Sequence, residues 1–434
     1  MNSQLLKLSQ KAAEQAVKIR RDIHQYPELG FTEIRTASKV ARQLKKLGYE
    51  VRVGREVMNS NDRYGMPSAK EFDEHYHRAL KEGADFEYAK KVKDGFTGVV
   101  GLLKDKQRKG PTIAIRMDMD ALPILESDSK THFPTREGFR SCHEGLMHAC
   151  GHDAHTATGL ALAEVFVALK KEIKGTLKLI FQPAEEGGRG ALPMVKAGVV
   201  DDVNYFMAIH FGLGMPSGTI HPQVEGYLAS TKLDVIFKGI AAHAAVDPEK
   251  GRNALLAAAQ AVTGLYAISR HGRGTSRLNV GVLRAGSGRN IIADRAFMMI
   301  ETRGETAEIN AYIEKRARAV IHGTALANDV EAVITPTGST TTATSDSSLA
   351  QIVAKAASEI PNIKVMEKPF VATGSEDATY FMRRVQERGG KAVYIGIGSD
   401  IPSGHHTPTF NVQEKDFTGG IAVLVNTVLE LARR

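Results

Sequence analysis

The chain has no tryptophan and only two cysteines, Cys142 and Cys150, in 434 residues. So few thiols exclude a disulfide scaffold and fit a reducing compartment, with a local Cys142–Cys150 bridge as the one pairing open to it. No apolar run reaches the roughly 18 residues that a membrane span needs. The opening MNSQLLKLSQKAAEQAVKIRRDIHQ carries Leu and Ala at helical spacing instead of the roughly 7–15-residue apolar core of a signal peptide. A cytoplasmic protein without membrane association is expected. Low-complexity tracts and internal repeats are also missing. Neither GSGRNI from Gly286 nor GIGSDI from Gly396 completes G-x-G-x-x-G, and Gly390-Lys391 is followed by Ala392 instead of Ser or Thr, so nucleotide binding is not indicated. HEGLMH, from His143 to His148, is one residue too long for H-E-x-x-H, which excludes a zincin helix.

What is present is an ordinary globular balance, 42% hydrophobic and 24% charged, in a chain long enough for two domains. The net charge of +8 suits an anionic partner. Its basic residues are dispersed without interleaved aromatics or a known nucleic-acid module, so a small anionic substrate is expected and nucleic acid is not.

Apolar spacing predicts helices over 4–25 and 34–47, the second ending at Gly48. Short apolar runs at Val99–Leu103, Thr112–Met117, Leu177–Phe181 and Tyr205–Ile209 read as buried parallel strands, with a helix near Ala154–Leu169 between them. This alternation argues for a doubly wound α/β domain. From about Gly226 the pattern changes to a compact α+β unit: a strand at Thr231–Phe237, a helix at Asn253–Ile268, strands near 278–284 and 296–303, a helix near 306–322 and a strand near 329–335. A Thr/Ser-rich linker at Pro336–Ser348 then returns the chain to α/β order, with a strand at Ala392–Ile397 and a last helix near 418–432. The expected division is therefore 1–226 with 337–434 as one discontinuous α/β domain and 227–336 as a smaller insert. Residues 56–95 form a separate charged, partly helical excursion.

Residues of metal-binding type gather where strands end. Cys150 and His152 flank a glycine in HACGHDAH just before a helix; Glu185 and Glu186 follow Phe181 and Pro183 in FQPAEEGG; His210 follows the strand ending at Ile209; His405 and His406 lie beyond the 392–397 strand. In open α/β sheets the ligand crevice lies outside the carboxyl ends of the strands. One such His is commonly a bonded core residue, and one Glu-Glu pair is commonly solvated surface. Four segments together point to metal. One Cys, two or three His and one or two Glu exceed the needs of a single four-coordinate ion, favouring two divalent ions sharing a bridge. Imidazole and carboxylate suit manganese or zinc, and the single thiolate leans toward zinc without deciding; the expectation adopted is manganese first, zinc as the alternative. Asp118 and Asp120, in RMDMDALP, are candidates either to bridge the ions or to orient a ligand His.

With these segments the sequence resembles the metal-dependent aminoacylase and carboxypeptidase family that includes hippurate hydrolases and the plant auxin-conjugate amidohydrolases. The matching pieces, RMDMDALP, MHACGHDAHT, FQPAEEG, AIH, GIAAHA, GSGRNII, GSED and GHHTP, run in order from 116 to 408. The resemblance implies a doubly wound catalytic domain with a di-metal site and an inserted lid that mediates dimerisation, as a homodimer or with a related subunit. It implies Cys150, His152, Glu186, His210 and His406 as metal ligands and Glu185 as general base, with His405 as a neighbour. In an extended backbone adjacent side chains point oppositely, which would let Glu186 face metal and Glu185 the attacking water. In the lid it implies that His243 of one protomer reaches the substrate carbonyl in its partner and that Asn290 and Arg303 bind the substrate end. Ala293 departs from the family's N-x-I-P pattern, a matter of one backbone turn. The implied reaction is hydrolysis of an N-acyl amino acid, p-aminobenzoyl-glutamate first and hippurate-type amides or dipeptides as alternatives. A non-catalytic metal- or peptide-binding module is the rival reading, which the intact Glu185 disfavours.

Overall fold

The structure, a computed structural model, describes residues 3–105, 107–401 and 403–434. It divides into two compact units, one of Met1–Glu225, Ala343–Ala372 and Asp377–Arg434, the other of Gly226–Thr342 and Thr373–Glu376.

The first unit is built on an eight-stranded mixed sheet. At its centre the strands Thr112–Asp118, Thr176–Gln182, Tyr205–Phe211 and Lys391–Ile397 run parallel, buried almost throughout, as their unbroken apolar character requires. Val99–Lys104 corrects the expectation of a parallel strand: it is antiparallel to Thr176–Gln182 and to Glu50–Val53, a strand that apolar patterning did not reveal. The short connection 105–111 has no room for a crossover helix, so the chain reverses direction. The helix His152–Ala168 is buried on nearly every side and packs against the helices Ser3–Gln25 and Phe417–Ala432. Its all-round apolar sequence is what a helix enclosed by others needs.

The 56–95 excursion folds into the helices Ala69–Lys81 and Phe86–Val92. Ser68 and Glu71 form a reciprocal capping box on the first, and Asp85 caps the second. Both pack on the helix Ile34–Lys46.

The second unit is a four-stranded antiparallel sheet in the order Ser276–Ala285, Arg295–Gly304, Ala229–Lys238, Glu331–Thr340. Leu233, Val235, Phe237, Met298 and Ile300 alternate inward against Ala257, Ala261, Leu265, Ile313 and Ile321 of the helices Ala254–Tyr266 and Ala307–Ala327. Here the expected linker at Pro336–Ser348 is corrected, because the last strand runs on to Thr340. It lies at a sheet edge and its register shifts between Pro336 and Gly338, the setting in which a strand tolerates proline. Among the described residues no helix is long and apolar enough to cross a membrane, and both cysteines are free.

Candidate metal centre

The parallel strands of the first unit end side by side. Asp118 is in register with Gln182, and His210 with Gly396. Everything that follows these strand ends is therefore delivered to one edge of the sheet.

Gly151, at φ +93°, turns the chain into the helix beginning at His152. A side chain is disfavoured at that angle, which accounts for glycine between Cys150 and His152. The Cys150 Sγ lies 3.5 Å from His210 Nε2 and 3.8 Å from His405 Nδ1. His210 donates from Nδ1 to the Phe211 carbonyl at 2.8 Å, which turns Nε2 toward the sulfur. Burial, followed by the neighbouring His155 and His405, holds the His210 pKa well below the usual imidazole range, so it stays neutral and suited to ligation. His405 accepts the Leu213 N–H on Nε2 and is pushed down to about 4 by burial and by His406.

His152 donates from Nδ1 to the carbonyl of Asp120 at 2.9 Å, with Asp120 Oδ1 at 3.2 Å. Its Nε2 is buried without a hydrogen-bond partner, and the nearest carboxylate oxygens, on Asp118 and Glu185, stand 3.7 and 3.9 Å away. A buried imidazole nitrogen aimed at carboxylates and a thiol fits a cation.

Glu185 and Glu186 do not lie on extended backbone as expected. They sit in a turn that follows Ala184, itself at φ +47°. Pro183 and the buried acceptors beneath end the strand and fold the segment over. Asp120 accepts the N–H of Glu185 (3.0 Å) and of Glu186 (2.9 Å); Glu33 accepts that of Ala184 (2.8 Å); Asp377 accepts those of Gly190 (3.1 Å) and Ala191 (2.9 Å). Gly190 has no space for a side chain, since a Cβ there would meet the Pro183 carbonyl at 1.6 Å. Held this way, both carboxylates turn to the same side. Donor atoms of His152, Glu185 and Glu186 lie within 4.8 Å of one another, as do those of Cys150, Glu186 and His406 and those of Cys150, His152 and His210. His406, at φ +59°, places Nε2 3.3 Å from Glu186 Oε1, and hydrogen bonding to Cys150 and Glu186 raises its pKa to about 10.

All the residues expected in the α/β domain are thus brought together. Asp120 has the orienting rather than the bridging geometry, its oxygens committed to two backbone N–H groups and His152. Asp118 bonds His155 Nδ1 at 2.5 Å and Arg116 Nη1 at 2.6 Å. Burial opposes ionisation of Asp118, but His152, Arg116 and His155 hold its pKa well below the carboxylate norm. Three supporting residues escaped the sequence reading. His155 accepts the Phe211 N–H on Nε2 at 2.9 Å, tying the His210 strand to Asp118. Arg116 joins Asp118, Gln182 and Asp377. Their signals were present: His155 lies three residues after His152 on the same helix, Arg116 opens RMDMD and Asp377 closes GSED.

In the second unit His243 is exposed, and its Nδ1 accepts the N–H groups of Ala245 and Val246, both at 3.2 Å, which leaves Nε2 outward. Asn290 is its neighbour, its carbonyl accepting the Ala244 N–H. Arg303 is not with them. The Arg295–Gly304 strand begins beyond Asn290, and the eight steps from Arg295 to Arg303 span roughly 27 Å.

The model of Peptidase family M20/M25/M40 matches residues 114–430. Over 411 residues, covering 94% of each chain, the sequence is 46% identical to the indole-3-acetyl-aspartic acid hydrolase of Enterobacter agglomerans. It is 44% identical, over the same length and coverage, to one of the subunits of p-aminobenzoyl-glutamate hydrolase from Escherichia coli (strain K12). The crystal structure of the aminobenzoyl-glutamate utilization protein from Klebsiella pneumoniae superposes with a TM-score of 0.85 at 39% identity, covering 98% of both chains.

Proposed function

This chain belongs to peptidase family M20/M25/M40, and from that membership we propose a di-metal amidohydrolase that cuts the amide between an aromatic acyl group and a dicarboxylic amino acid. The first substrate is p-aminobenzoyl-glutamate, giving p-aminobenzoate and glutamate; both similar hydrolases are named for amides whose amino acid carries two carboxylates.

The observation that carries the reading is the meeting of Cys150, His152, Glu186, His210 and His406 beside Glu185. Those five donors would hold two divalent ions, manganese first and zinc as the alternative, which when bound polarise the carbonyl and acidify a water. Glu185, with its backbone N–H fixed by Asp120, takes the proton of the attacking water and returns it to the leaving nitrogen. Glu186, on the same turn but within reach of His406 and Cys150, serves as a ligand.

The second unit acts as a lid and dimerisation domain. Its His243 offers Nε2 to the developing oxyanion, and Asn290 and Arg303 bind the substrate end. The distance along the strand between His243–Asn290 and Arg303 exceeds the reach of one small amide, which supports their acting on different sites of a dimer. The partner is a second copy or a related chain, and the Escherichia coli relative is itself named as one component of a hydrolase with more than one kind of chain. Two free cysteines suit the cytoplasm.

The test is release of p-aminobenzoate by the purified, metal-loaded chain. A clear preference in kcat/KM for hippurate and other amides with monocarboxylic leaving groups would reject the glutamate reading.

A further inference from the structure

The second unit contains a cavity of about 590 Å3 lined by Arg270, Arg277, Asn279, Glu301 and Arg303. This is within the size range of small-molecule sites. Four of these residues form a square on one sheet face. Arg277 is directly opposite Arg303, and Asn279 opposite Glu301, while Leu278 and Thr302 between them are buried on the other face.

Like charges directly opposed on a sheet destabilise it unless something neutralises them. Glu301 accounts for one guanidinium only, accepting Arg303 Nε at 3.0 Å while its other oxygen accepts the Ser230 hydroxyl. Among the described residues Arg270 and Arg277 have neither an ion pair nor a hydrogen-bonding side-chain partner. The loop that brings Arg270 to the mouth is held in shape: His271 N–H donates to Ser276 Oγ at 2.9 Å and Thr275 N–H to Glu305 at 2.8 Å. Three guanidinium groups of the lining face one carboxylate, and Lys232 stands directly opposite that carboxylate on the next strand, so the cavity is cationic and suits an anionic ligand.

With Arg303 binding the substrate end as in the function proposed above, we propose that the same cavity takes a side-chain carboxylate of the leaving amino acid on Arg277, with Arg270 at the mouth. Arg277 is then the residue that separates glutamate from its neutral isostere glutamine. A guanidinium pairs with carboxylate through two parallel N–H donors, which a lysine cannot reproduce. The inference rests on the function proposed above.

The experiment compares kcat/KM for p-aminobenzoyl-glutamate and p-aminobenzoyl-glutamine in the full-length, metal-loaded wild type, Arg277→Gln and Arg277→Lys, with Tm as a check on folding. In Arg277→Gln the glutamate-to-glutamine ratio is expected to fall about ten-fold or more, chiefly through KM, as loss of a charged hydrogen bond entails. Arg277→Lys should keep part of the preference. An unchanged ratio, or an equal loss with both substrates, overturns the assignment while leaving the amidohydrolase reading intact. A wild type that hydrolyses both amides without preference overturns the dicarboxylate reading and this inference together.

Discussion

The imidazole of His152 and the carboxylate of Asp120 meet at 3.2 Å, and the same carboxylate accepts the N–H groups of Glu185 and Glu186. One residue therefore sets the His152 tautomer, through its carbonyl and its carboxylate, and the position of both glutamates through the carboxylate alone. Replacing Asp120 with Ala should release the Glu185 and Glu186 N–H groups together, while His152 keeps its 2.9 Å bond to the carbonyl of residue 120. Outer partners of metal ligands are typically worth about 10–100-fold in affinity. Metal titration of Asp120→Ala is expected to show a loss of that order; wild-type affinity would show that the turn holds without it.

The two glutamates should separate by metal content. Glu185→Gln is expected to keep metal near the wild-type level while turnover is abolished, because in the proposed mechanism this group handles the proton. Glu186→Gln should lose metal itself. Elemental analysis with the reverse pattern would exchange the two roles.

Catalysis across a dimer is testable by mixing. His243→Ala and Glu185→Gln chains, each inactive alone, should regain part of the activity as hybrids, since one intact site can then be completed by an intact lid histidine. No rescue after demonstrated exchange of protomers would argue that His243 acts within its own chain or not at all.

Beneath the centre lies a buried ionic group in which His24 bridges Glu126 (2.9 Å) and Asp153 (2.8 Å), Arg20 binds Asp153 at 2.9 Å and His132 binds Glu126 at 2.8 Å. Burial would raise the Glu126 pKa, but hydrogen bonds from His132 and His24 outweigh it and lower it from about 4.5 to about 2. A carboxyl depressed in the folded state adds stability that is fully present above its unfolded pKa and is lost as pH falls through the folded one. Wild type should therefore lose stability between about pH 4.5 and 2, and Glu126→Gln should flatten that limb while lowering Tm at neutral pH. An acid limb of unchanged slope would mean that Glu126 is not ionised in the fold.

Much of the architecture was legible before the structure. The runs Thr112–Met117, Leu177–Phe181 and Tyr205–Ile209 could be read as buried parallel strands because enclosure by helices demands apolar residues on both faces. The same rule hid the direction of Val99–Lys104, since burial says nothing of polarity along a strand. Thr and Ser after Pro336 looked like a linker because their polarity imitates a loop, whereas an edge strand accepts them.

The sequence by itself determined which donors follow which strand ends, and hence that Cys150, His152, Glu185, Glu186, His210 and His406 would share one edge of a sheet. That follows from the parallel order of the strands. Only the tertiary structure decided how those donors face. The Glu185–Glu186 turn has no periodicity to read; its shape comes from N–H groups accepted by Glu33, Asp120 and Asp377, acids distant in the chain. The ring orientation of His155 and the partners of Arg116 are set in the same way. Local pattern fixes which face of a helix or strand is buried, but in irregular backbone only hydrogen bonds closed over long sequence distances fix the direction of a side chain.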